Sequence, residues 1–384
     1  MTGDTGKPDR LLLALTLLLV AVGIVMVYSS SVVVAQERYH TSSFFLKRHL
    51  FRALLGLLAL AVMIRIDYHR WEGLAGFGML LSLLLLSLIL LPWIGLNGHQ
   101  SGSQVSRHIS LPMLRFQPSE LVKLVMVFYL ARQLTRKEKL IGDFKQGLLP
   151  SVCVIGLSLL LIVLEPDLGT AIVIGLLAIT MFLVAGVRWI HLLALGTVGL
   201  AGAAAFVLSA PYRMRRVLTF LDPTWDPGGA SYQLRQSLIS LGSGGVFGVG
   251  LGNSRQKLLF LPEPHTDFVF SILGEELGFI GVLIILSLFL LLAWRGIRAA
   301  RQAGDRFGFL LGVGITASIF INMAVNVAVV ASLCPTTGLP LPFISYGGSS
   351  LLMNLIGMGV LINISRSRSQ KKSPWVKRRA ACAS

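Results

Sequence analysis

The sequence predicts an all-α polytopic membrane protein of about ten transmembrane helices, and two observations carry this prediction. The first is composition: of the 384 residues, 54% are hydrophobic and only 13% are charged, whereas a soluble domain carries about 25% charged residues. The mean hydropathy of +0.76 also excludes a disordered chain, because disorder requires low hydrophobicity. The second is the repeated occurrence of apolar runs near the length of about 20 residues that crosses a bilayer.

Ten apolar runs are interpreted as membrane-spanning helices, because a helix satisfies its backbone hydrogen bonds within the segment. In chain order they are Leu11–Tyr28, Leu50–Ile66, Leu74–Ile94, Leu121–Leu134, Leu148–Leu164, Leu168–Val187, Ile190–Ala210, Phe268–Trp294, Phe307–Leu333 and Ile344–Ile364. The first run lacks a small-residue cleavage site, so we expect a retained helix rather than a signal peptide. The chain thus divides into an N-terminal tail over residues 1–10, a membrane domain over 11–364 and a basic tail over 365–384.

The net charge of +17, from 34 Lys and Arg against 17 Asp and Glu, suits either a nucleic-acid-binding protein or a membrane protein that keeps basic residues in cytoplasmic loops. The basic residues concentrate in alternate segments, namely 132–145, 295–306 and the C-terminal tail. This distribution predicts that both termini are cytoplasmic, and it argues against nucleic-acid binding. The tail segment KKSPWVKRR follows the last helix, so we expect it to attract anionic lipids.

Residues 211–267 are predicted to form one long exterior loop between the seventh and eighth helices, and a loop of this length is usually functional. The loop contains the turn-rich segment DPTWDPGG and the glycine run Gly242–Gly252. The glycine run is interpreted either as a flexible or re-entrant loop, or as backbone that approaches a polar substrate closely. The basic residues of the loop considered below are Arg213, Arg215, Arg216, Arg235 and Lys257.

Asp267 ends this loop, and its position has two interpretations. It follows Pro262 and Pro264, whose fixed φ angles stiffen the chain, and it precedes the eighth helix. As an N-cap, Asp267 would accept hydrogen bonds from backbone amides and complement the helix dipole. As a general base, it would accept a proton from a substrate at the membrane surface. The spacing alone favours the cap.

Four charged residues are predicted inside helices, where a charged side chain usually faces a cavity or a partner. Glu120 and Lys123 are three residues apart in the fourth helix, close enough to pair. Glu275 and Glu276 are adjacent in the eighth helix and point about 100° apart, so both cannot face lipid.

Two further patterns favour structural interpretations. Gly274 and Gly278 form a GxxxG pair, which predicts helix packing. Glu165 and Asp167, separated by Pro166, mark a tight exterior turn. We expect these two carboxylates to be solvated.

The sequence indicates no dedicated metal site, because it has no HExxH motif and no pair of histidines at helical spacing. A divalent cation that bridges a substrate pyrophosphate to a carboxylate needs no protein cage. Mg²⁺ or Mn²⁺ therefore stays a candidate cofactor, and no organic cofactor is expected.

Three motifs together resemble the SEDS family (shape, elongation, division and sporulation) of bacterial cell-wall proteins. They are FQPSELVKL at 116–124, GSGGVFGVGLGNSRQKLLFLPEPHTDFVFSILGEELGFIG at 242–281 and PTTGLPLPFISYGGSSL at 335–351. The resemblance extends from the first helix to the tenth. The segments DPTWDPGGASYQLRQS and GLGNSRQKLLFLPE resemble the division branch of the family more than the elongation branch. The resemblance implies a ten-helix peptidoglycan glycosyltransferase that polymerises lipid II at the outer face of the cytoplasmic membrane, at the division site.

The resemblance also implies roles for particular residues. The essential aspartate of the family's HTDF motif matches Asp267, which favours the general base over the cap. The Glu and Lys of the QPSExxK motif match Glu120 and Lys123, which would line a cavity that opens outward; Glu275 and Glu276 are further candidates for such a cavity. The implied partner is a class B penicillin-binding transpeptidase within the division complex.

The inferred chemistry assigns the remaining charges and leaves alternatives open. An acceptor sugar hydroxyl attacks the anomeric carbon of the donor lipid, and the basic residues of the loop would stabilise the departing pyrophosphate. The lipid tails would lie along apolar helix faces near the fourth helix. A lipid II flippase with Glu120 and Lys123 on its path, a scaffold that recruits the transpeptidase, and a polymerase of the elongation branch are the competing interpretations.

Overall fold

The structure is a computed structural model, and it describes residues 8–90, 108–110, 115–209, 211–221, 230–258, 260–261 and 264–366. The described helices are α1 Arg10–Tyr39, α2 Phe44–Arg65, α3 His69–Ile89, α4 Pro118–Arg136, α5 Leu149–Leu164, α6 Leu168–Ala185, α7 Trp189–Leu208, α8 Pro211–Leu221, α9 Ala230–Ser243, α10 Val269–Arg301, α11 Arg306–Val330 and α12 Gly348–Arg366. Between α3 and α4, a short antiparallel pair joins β1 Ile109–Ser110 to β2 Arg115–Phe116. A π-helical turn, Phe144–Leu148, leads into α5.

The prediction of an all-helical polytopic protein is confirmed. Each of the ten predicted runs falls on a helix, and eight of the described helices are long and apolar enough to cross a membrane. The other two, α2 and α4, carry more charge, including Lys47, Arg48 and Arg52 in α2. The predicted end of the third run, beyond residue 90, the DPTWDPGG segment and the basic tail after residue 366 lie outside the described residues.

The exterior segment 211–267 is not one continuous loop, and this part of the prediction is wrong. It contains the helices α8 and α9, of 11 and 14 residues. Both are too short to cross a bilayer, so a search for runs of about 20 apolar residues does not find them. In α8 the apolar residues Met214, Val217, Leu218 and Leu221 recur at helical spacing, which is the pattern of a helix with one apolar face.

The helices differ strongly in how much of their surface is buried. In α4, residues from Val122 to Leu134 belong to the hydrophobic core, and α4 packs against α3, α5, α6, α11 and α12. In α7, by contrast, Leu192 is the one buried residue among the described side chains. The helix that carries the QPSE motif is therefore central, and α7 lies at the periphery.

Ion pairs join several helices at one end of the bundle. Arg295 in α10 lies 2.5 Å from Asp9, which caps the N-terminus of α1. Arg306 at the start of α11 lies 2.5 Å from Glu138, which follows α4. All four residues come from segments predicted to be cytoplasmic, so the structure brings these segments to the same end. The side of the membrane that this end faces stays a prediction.

The glycine run Gly242–Gly252 forms backbone hydrogen bonds with α10 at a break in that helix. Gly278 has φ +67°, which breaks the helix. Four hydrogen bonds replace the helical ones: the amides of Val249 and Gly250 donate to the carbonyls of Glu275 and Glu276, and the amides of Phe279 and Ile280 donate to those of Gly245 and Val246. Backbone that is not helical is tolerated at membrane depth only when protein groups satisfy it. The run is thus packed in place rather than flexible.

The two glycines of the predicted GxxxG pair contact this same region. Gly274 lies against Leu241 of α9, and a Cβ at Gly278 would collide with the backbone nitrogen of Gly248. The predicted packing role is correct, but the surface they contact is the end of α9 and the glycine run.

Candidate active site

Asp267 lies in the turn that precedes α10, in a segment held from two sides. The N-cap residue of α10 is Phe268, and no side chain caps that terminus. The prediction that Asp267 caps the helix is therefore wrong, because the helix begins one residue later than an Asp267 cap requires. Instead, Asn326 of α11 donates through Nδ2 to the Asp267 carbonyl at 2.9 Å and to the Leu339 carbonyl at 2.7 Å.

The segment 335–348, which carries the motif PTTGLPLPFISYGG, forms one wall beside Asp267. Gly338 has φ +72°, and a Cβ at that position would lie 3.6 Å from Oδ2 of Asp267. Gly169 at the start of α6 packs under the same segment, since a Cβ there would lie 2.7 Å from the Thr337 carbonyl oxygen. The lack of side chains at these two glycines lets three chain segments meet next to the carboxylate.

The other end of this segment packs against His265. The Tyr346 amide donates to the His265 carbonyl at 2.9 Å. The His265 ring lies 5.3 Å from the Tyr346 ring and 4.4 Å from the ring of Phe45 in α2. The HTDF motif is thus held between α2, α11 and the 335–348 segment.

Glu120 and Lys123 form the ion pair that their spacing predicts. Lys123 Nζ lies 2.8 Å from Glu120 Oε1, both side chains are buried, and Lys123 also lies 3.4 Å from the amide oxygen of Asn322. The pair lines a small cavity together with the polar residues Asn322 and Asn354.

An apolar groove of about 350 Å³ adjoins this cavity. Residues of α2, α3, α4 and α12 line it, including Trp71, Phe77 and Phe128. Leu124 and Met353 line both spaces. An apolar chain in the groove would therefore lie directly beside the buried ion pair of α4.

Glu275 and Glu276 are buried, and each is surrounded by donors. Glu276 pairs with Lys257 at 3.2 Å and accepts from the Ser29 hydroxyl at 2.6 Å. Glu275 accepts hydrogen bonds from the hydroxyls of Ser254 and Ser240. It also accepts one, at 2.9 Å, from the backbone amide of Arg255. The expectation that each faces a partner is confirmed. They lie away from the cavity that Glu120 and Lys123 line.

The basic residues proposed for pyrophosphate are spread over several elements. Lys257 is buried and paired with Glu276. Arg213 lies over the Phe206 ring at 3.5 Å and donates to Ser209, which fastens α8 to the end of α7. Arg215, Arg216 and Arg235 are exposed. Their contact with a phosphate stays a prediction.

A buried polar network beside Asp267 was not expected from the sequence. Gln117 donates from Nε2 to Asp167 at 3.1 Å, and Asp167 also accepts from the Thr170 hydroxyl at 2.8 Å. Asp167 is 4% exposed and Glu165 is fully buried, so the expectation that both are solvated is wrong. The cause is tertiary: the start of α6 packs beneath the 335–348 segment, which no local pattern reveals.

Arg52 in α2 is a second residue that sequence reasoning missed. It is 5% exposed, and its guanidinium lies 4.7 Å from the centre of the Tyr346 ring. The one available signal was its occurrence at the exterior end of an apolar run.

Comparisons with known proteins agree with this architecture. A family model described as FtsW, RodA and SpoVE cell cycle protein matches residues 9–370. The stage V sporulation protein E of Bacillus subtilis strain 168 is 45% identical, covering 95% of this chain and 99% of that protein. A probable peptidoglycan glycosyltransferase FtsW of Geobacter sp. strain M18 is 43% identical, covering 93% of this chain and 96% of that protein.

Among solved structures, one similar chain is 30% identical with a TM-score of 0.74, covering 95% of this chain and 99% of that one. It belongs to a structure described as the coordination of polymerization and crosslinking by a peptidoglycan synthase complex. The similarity therefore extends over nearly the whole membrane domain and includes every motif discussed above.

Proposed function

The chain belongs to the FtsW, RodA and SpoVE family of cell cycle proteins, and we propose that it polymerises lipid II into glycan strands at the outer face of the bacterial cytoplasmic membrane. The observation that carries this proposal is the 43% identity, over nearly the full length of both chains, with a probable peptidoglycan glycosyltransferase. The enzyme class predicted from the motifs, peptidoglycan glycosyltransferase, is confirmed by the names of these relatives.

In the proposed reaction, Asp267 is the general base. The acceptor sugar hydroxyl attacks the anomeric carbon of the donor from the face opposite the pyrophosphate, so the α linkage becomes β. A neutral hydroxyl is a poor nucleophile, and a positioned carboxylate that takes its proton contributes about 10² to 10⁴-fold to the rate. The anchoring of the Asp267 carbonyl by Asn326, and the closeness of Gly338, support a fixed position for this carboxylate.

The leaving pyrophosphate requires positive charge, which we assign to exterior basic residues and a divalent cation. No group of three His, Cys, Asp or Glu side chains suited to a metal occurs in the part of the chain that the structure describes. Mg²⁺ needs only one or two carboxylates when substrate phosphates supply its other ligands. Mg²⁺ or Mn²⁺ would therefore be held mainly by the substrate phosphates and would supply charge stabilisation to them.

The polyprenyl tail of the substrate is proposed to occupy the apolar groove between α2, α3, α4 and α12. The groove is lined by aliphatic and aromatic side chains, and it continues into the cavity of Glu120 and Lys123. This order of apolar and charged surfaces matches a lipid whose tail is joined to a charged head. It also follows the expectation that the tails lie near the fourth predicted helix, which is α4.

We propose that the synthesis serves cell division and that a class B penicillin-binding transpeptidase is the partner. The description of the family as cell cycle proteins supports the first proposal. The similar chain within a complex for polymerization and crosslinking supports the second, because crosslinking is the activity of a transpeptidase. The 45% identity with a sporulation protein favours one further candidate, which is the same chemistry during spore formation.

The test is an assay of purified protein with lipid II and its transpeptidase partner, in which polymer length and rate are measured on gels. Wild-type protein should form glycan strands, and Asp267→Ala should lower the rate by at least about a hundredfold. Glu37→Gln, which alters an exposed carboxylate at the end of α1, is the matched control and should keep the wild-type rate. A normal rate for Asp267→Ala would refute the assignment of the base.

Two further measurements separate the competing functions. A flippase predicts that labelled lipid II crosses liposomes that contain this protein alone, and that polymer formation is absent. Depletion in a rod-shaped host should give filaments if the protein serves division, round cells if it serves elongation, and defective spores alone if it serves sporulation.

A further inference from the structure

Arg52 is a buried cation that has no anionic partner among the residues that the structure describes. Its side chain is 5% exposed, and its Nε is buried without a hydrogen-bond partner among the described residues. The described contacts of the guanidinium are the ring of Tyr346 and the backbone at Gly348. Burial of an unpaired charge is expensive, so this position is suited to an anion that the protein does not itself supply.

The N-terminus of α12 lies against this guanidinium. A Cβ placed on Gly348, the first residue of α12, would lie 2.9 Å from Arg52 Nε. The first amides of a helix have no acceptor within the helix, and its dipole is positive at this end. The first helical hydrogen bond of α12 runs from the Leu351 amide to the Gly347 carbonyl. The amides before Leu351 in this first turn therefore have no acceptor within the helix. The guanidinium and the helix N-terminus therefore favour an anion at the same place.

Glycine at residue 348 allows the guanidinium to lie directly against the start of α12. Any larger residue would push the guanidinium away from the start of α12, since the added Cβ would also lie 3.0 Å from Arg52 Cδ. His49, one turn earlier on the same face of α2, is fully buried, and neither ring nitrogen has a hydrogen-bond partner in the described residues. A second nitrogen-bearing side chain is thus available beside the guanidinium.

This place is adjacent to the proposed active site. Tyr346, whose ring lies under the Arg52 guanidinium, donates to the carbonyl of His265, two residues before Asp267. Ser349, the second residue of α12, accepts a hydrogen bond at 2.9 Å from the amide of Gln117, which starts the QPSE motif. An anion held here would lie between the segment of Asp267 and the start of α4.

We propose that Arg52 and the N-terminus of α12 bind a phosphate group of the diphosphate that joins the substrate's sugar to its polyprenyl tail. A guanidinium offers several planar donors that match phosphate oxygens, and a helix N-terminus adds amide donors. The identification of the anion rests on the proposed function, because that function requires a lipid-linked diphosphate next to Asp267. The other source of the same chemistry is the phosphate headgroup of an anionic membrane phospholipid.

Binding measurements on the intact protein test the site. Wild type, Arg52→Gln and Arg52→Lys are reconstituted in nanodiscs of zwitterionic lipid, and undecaprenyl diphosphate is titrated. We expect the dissociation constant to rise at least tenfold in Arg52→Gln and less in Arg52→Lys, which keeps the charge. Arg65→Gln, which removes an exposed arginine at the opposite end of α2, is the matched control and should bind as wild type does. Affinity within twofold of wild type for Arg52→Gln would overturn the proposal.

A second variant and a second lipid complete the test. Gly348→Ala keeps every charge and should weaken diphosphate binding in the same direction, because its Cβ displaces the guanidinium; wild-type affinity there would count against the site even if Arg52→Gln failed to fold. In nanodiscs with phosphatidylglycerol, a loss of lipid association in Arg52→Gln without a loss of diphosphate affinity would assign the site to a phospholipid and overturn the substrate assignment.

Polymerisation assays separate this proposal from the proposed function. If the diphosphate binds in an Arg52-dependent manner but wild type forms no glycan strand, the site stands and the polymerase function fails. If wild type polymerises lipid II and Arg52→Gln has the same KM and kcat, the function stands and the site is refuted. The expected result is a KM raised at least tenfold with a smaller change in kcat.

Discussion

Two groups of buried charges in this protein differ in how they are satisfied. Glu275 and Glu276 in α10 accept hydrogen bonds from serine hydroxyls and a backbone amide, and Lys257 neutralises one of them. Arg52 in α2 is buried, and its Nε has no hydrogen-bond partner in the described structure. In the sequence, all of them are equivalent: charged residues within or near apolar runs.

The difference separates charges that hold the fold from charges that are available to a ligand. A carboxylate surrounded by donors gains nothing from a substrate and loses stability when any donor is removed. An unpaired buried cation is stabilised when an anion arrives. The group around Glu275 therefore fixes the glycine run to α10, whereas Arg52 lies beside the segment proposed to bind the substrate's diphosphate.

The largest predicted effect follows from breaking the buried pair of Lys257 and Glu276. Lys257→Met leaves Glu276 buried without its cation and should lower the free energy of unfolding by about 3–5 kcal/mol. Unfolding in mixed micelles measures this change. The double variant Lys257→Met/Glu276→Leu removes both charges and should recover most of the loss. If the double variant were no more stable than the single one, the pair would not be the cause.

The next effect tests whether the glycine run and the kink of α10 form one unit. Gly278→Ala places a Cβ against the Gly248 backbone at φ +67°, and the strain alone costs about 1–3 kcal/mol. We expect a loss of at least about 2 kcal/mol, measured in the same unfolding assay. Gly156→Ala in α5, where a Cβ meets no atom within 4 Å, is the control and should be neutral or stabilising.

A third prediction concerns Asn326, which holds the backbone of Asp267. Asn326→Ala removes the two hydrogen bonds that Nδ2 donates to the carbonyls of Asp267 and Leu339, each of which contributes about 0.5–1.5 kcal/mol. Because the base is then less well positioned, we expect kcat for lipid II polymerisation to fall about tenfold with KM nearly unchanged. An equal change in KM would instead indicate a role in substrate binding.

The sequence predicted the membrane helices and the motif positions well because both depend on local patterns. A run of about 20 apolar residues by itself predicts a membrane-spanning helix. The i, i+3 spacing of Glu120 and Lys123 places them on the same face of any helix. The helices α8 and α9 are not predicted by span length, because 11 and 14 residues are too few to cross a bilayer. The Asp267 cap was wrong by one residue, since helix ends are the least defined part of a local pattern.

The features that the sequence could not predict all depend on distant packing. Asp167 is buried because Gly169 lets α6 pack beneath Thr337. Arg52 lies against Gly348, almost three hundred residues later in the chain. Their local neighbours gave no sign of either contact. A contact between residues so far apart follows from the fold as a whole.

The smallest predicted effect is at the exposed arginines of the exterior segment, and it tests the comparison from the other direction. Arg215 lies on the outer surface of α8, where a substitution changes stability by less than about 0.5 kcal/mol. Arg215→Gln should therefore unfold like wild type. Any effect on lipid II polymerisation should fall on KM and should disappear at high salt, because exposed charges are screened beyond about 10 Å at 0.1 M salt. An effect on KM that persists in high salt would show that Arg215 contacts the substrate in a site that excludes water. In that case, burial of a cation would not determine whether it binds the diphosphate.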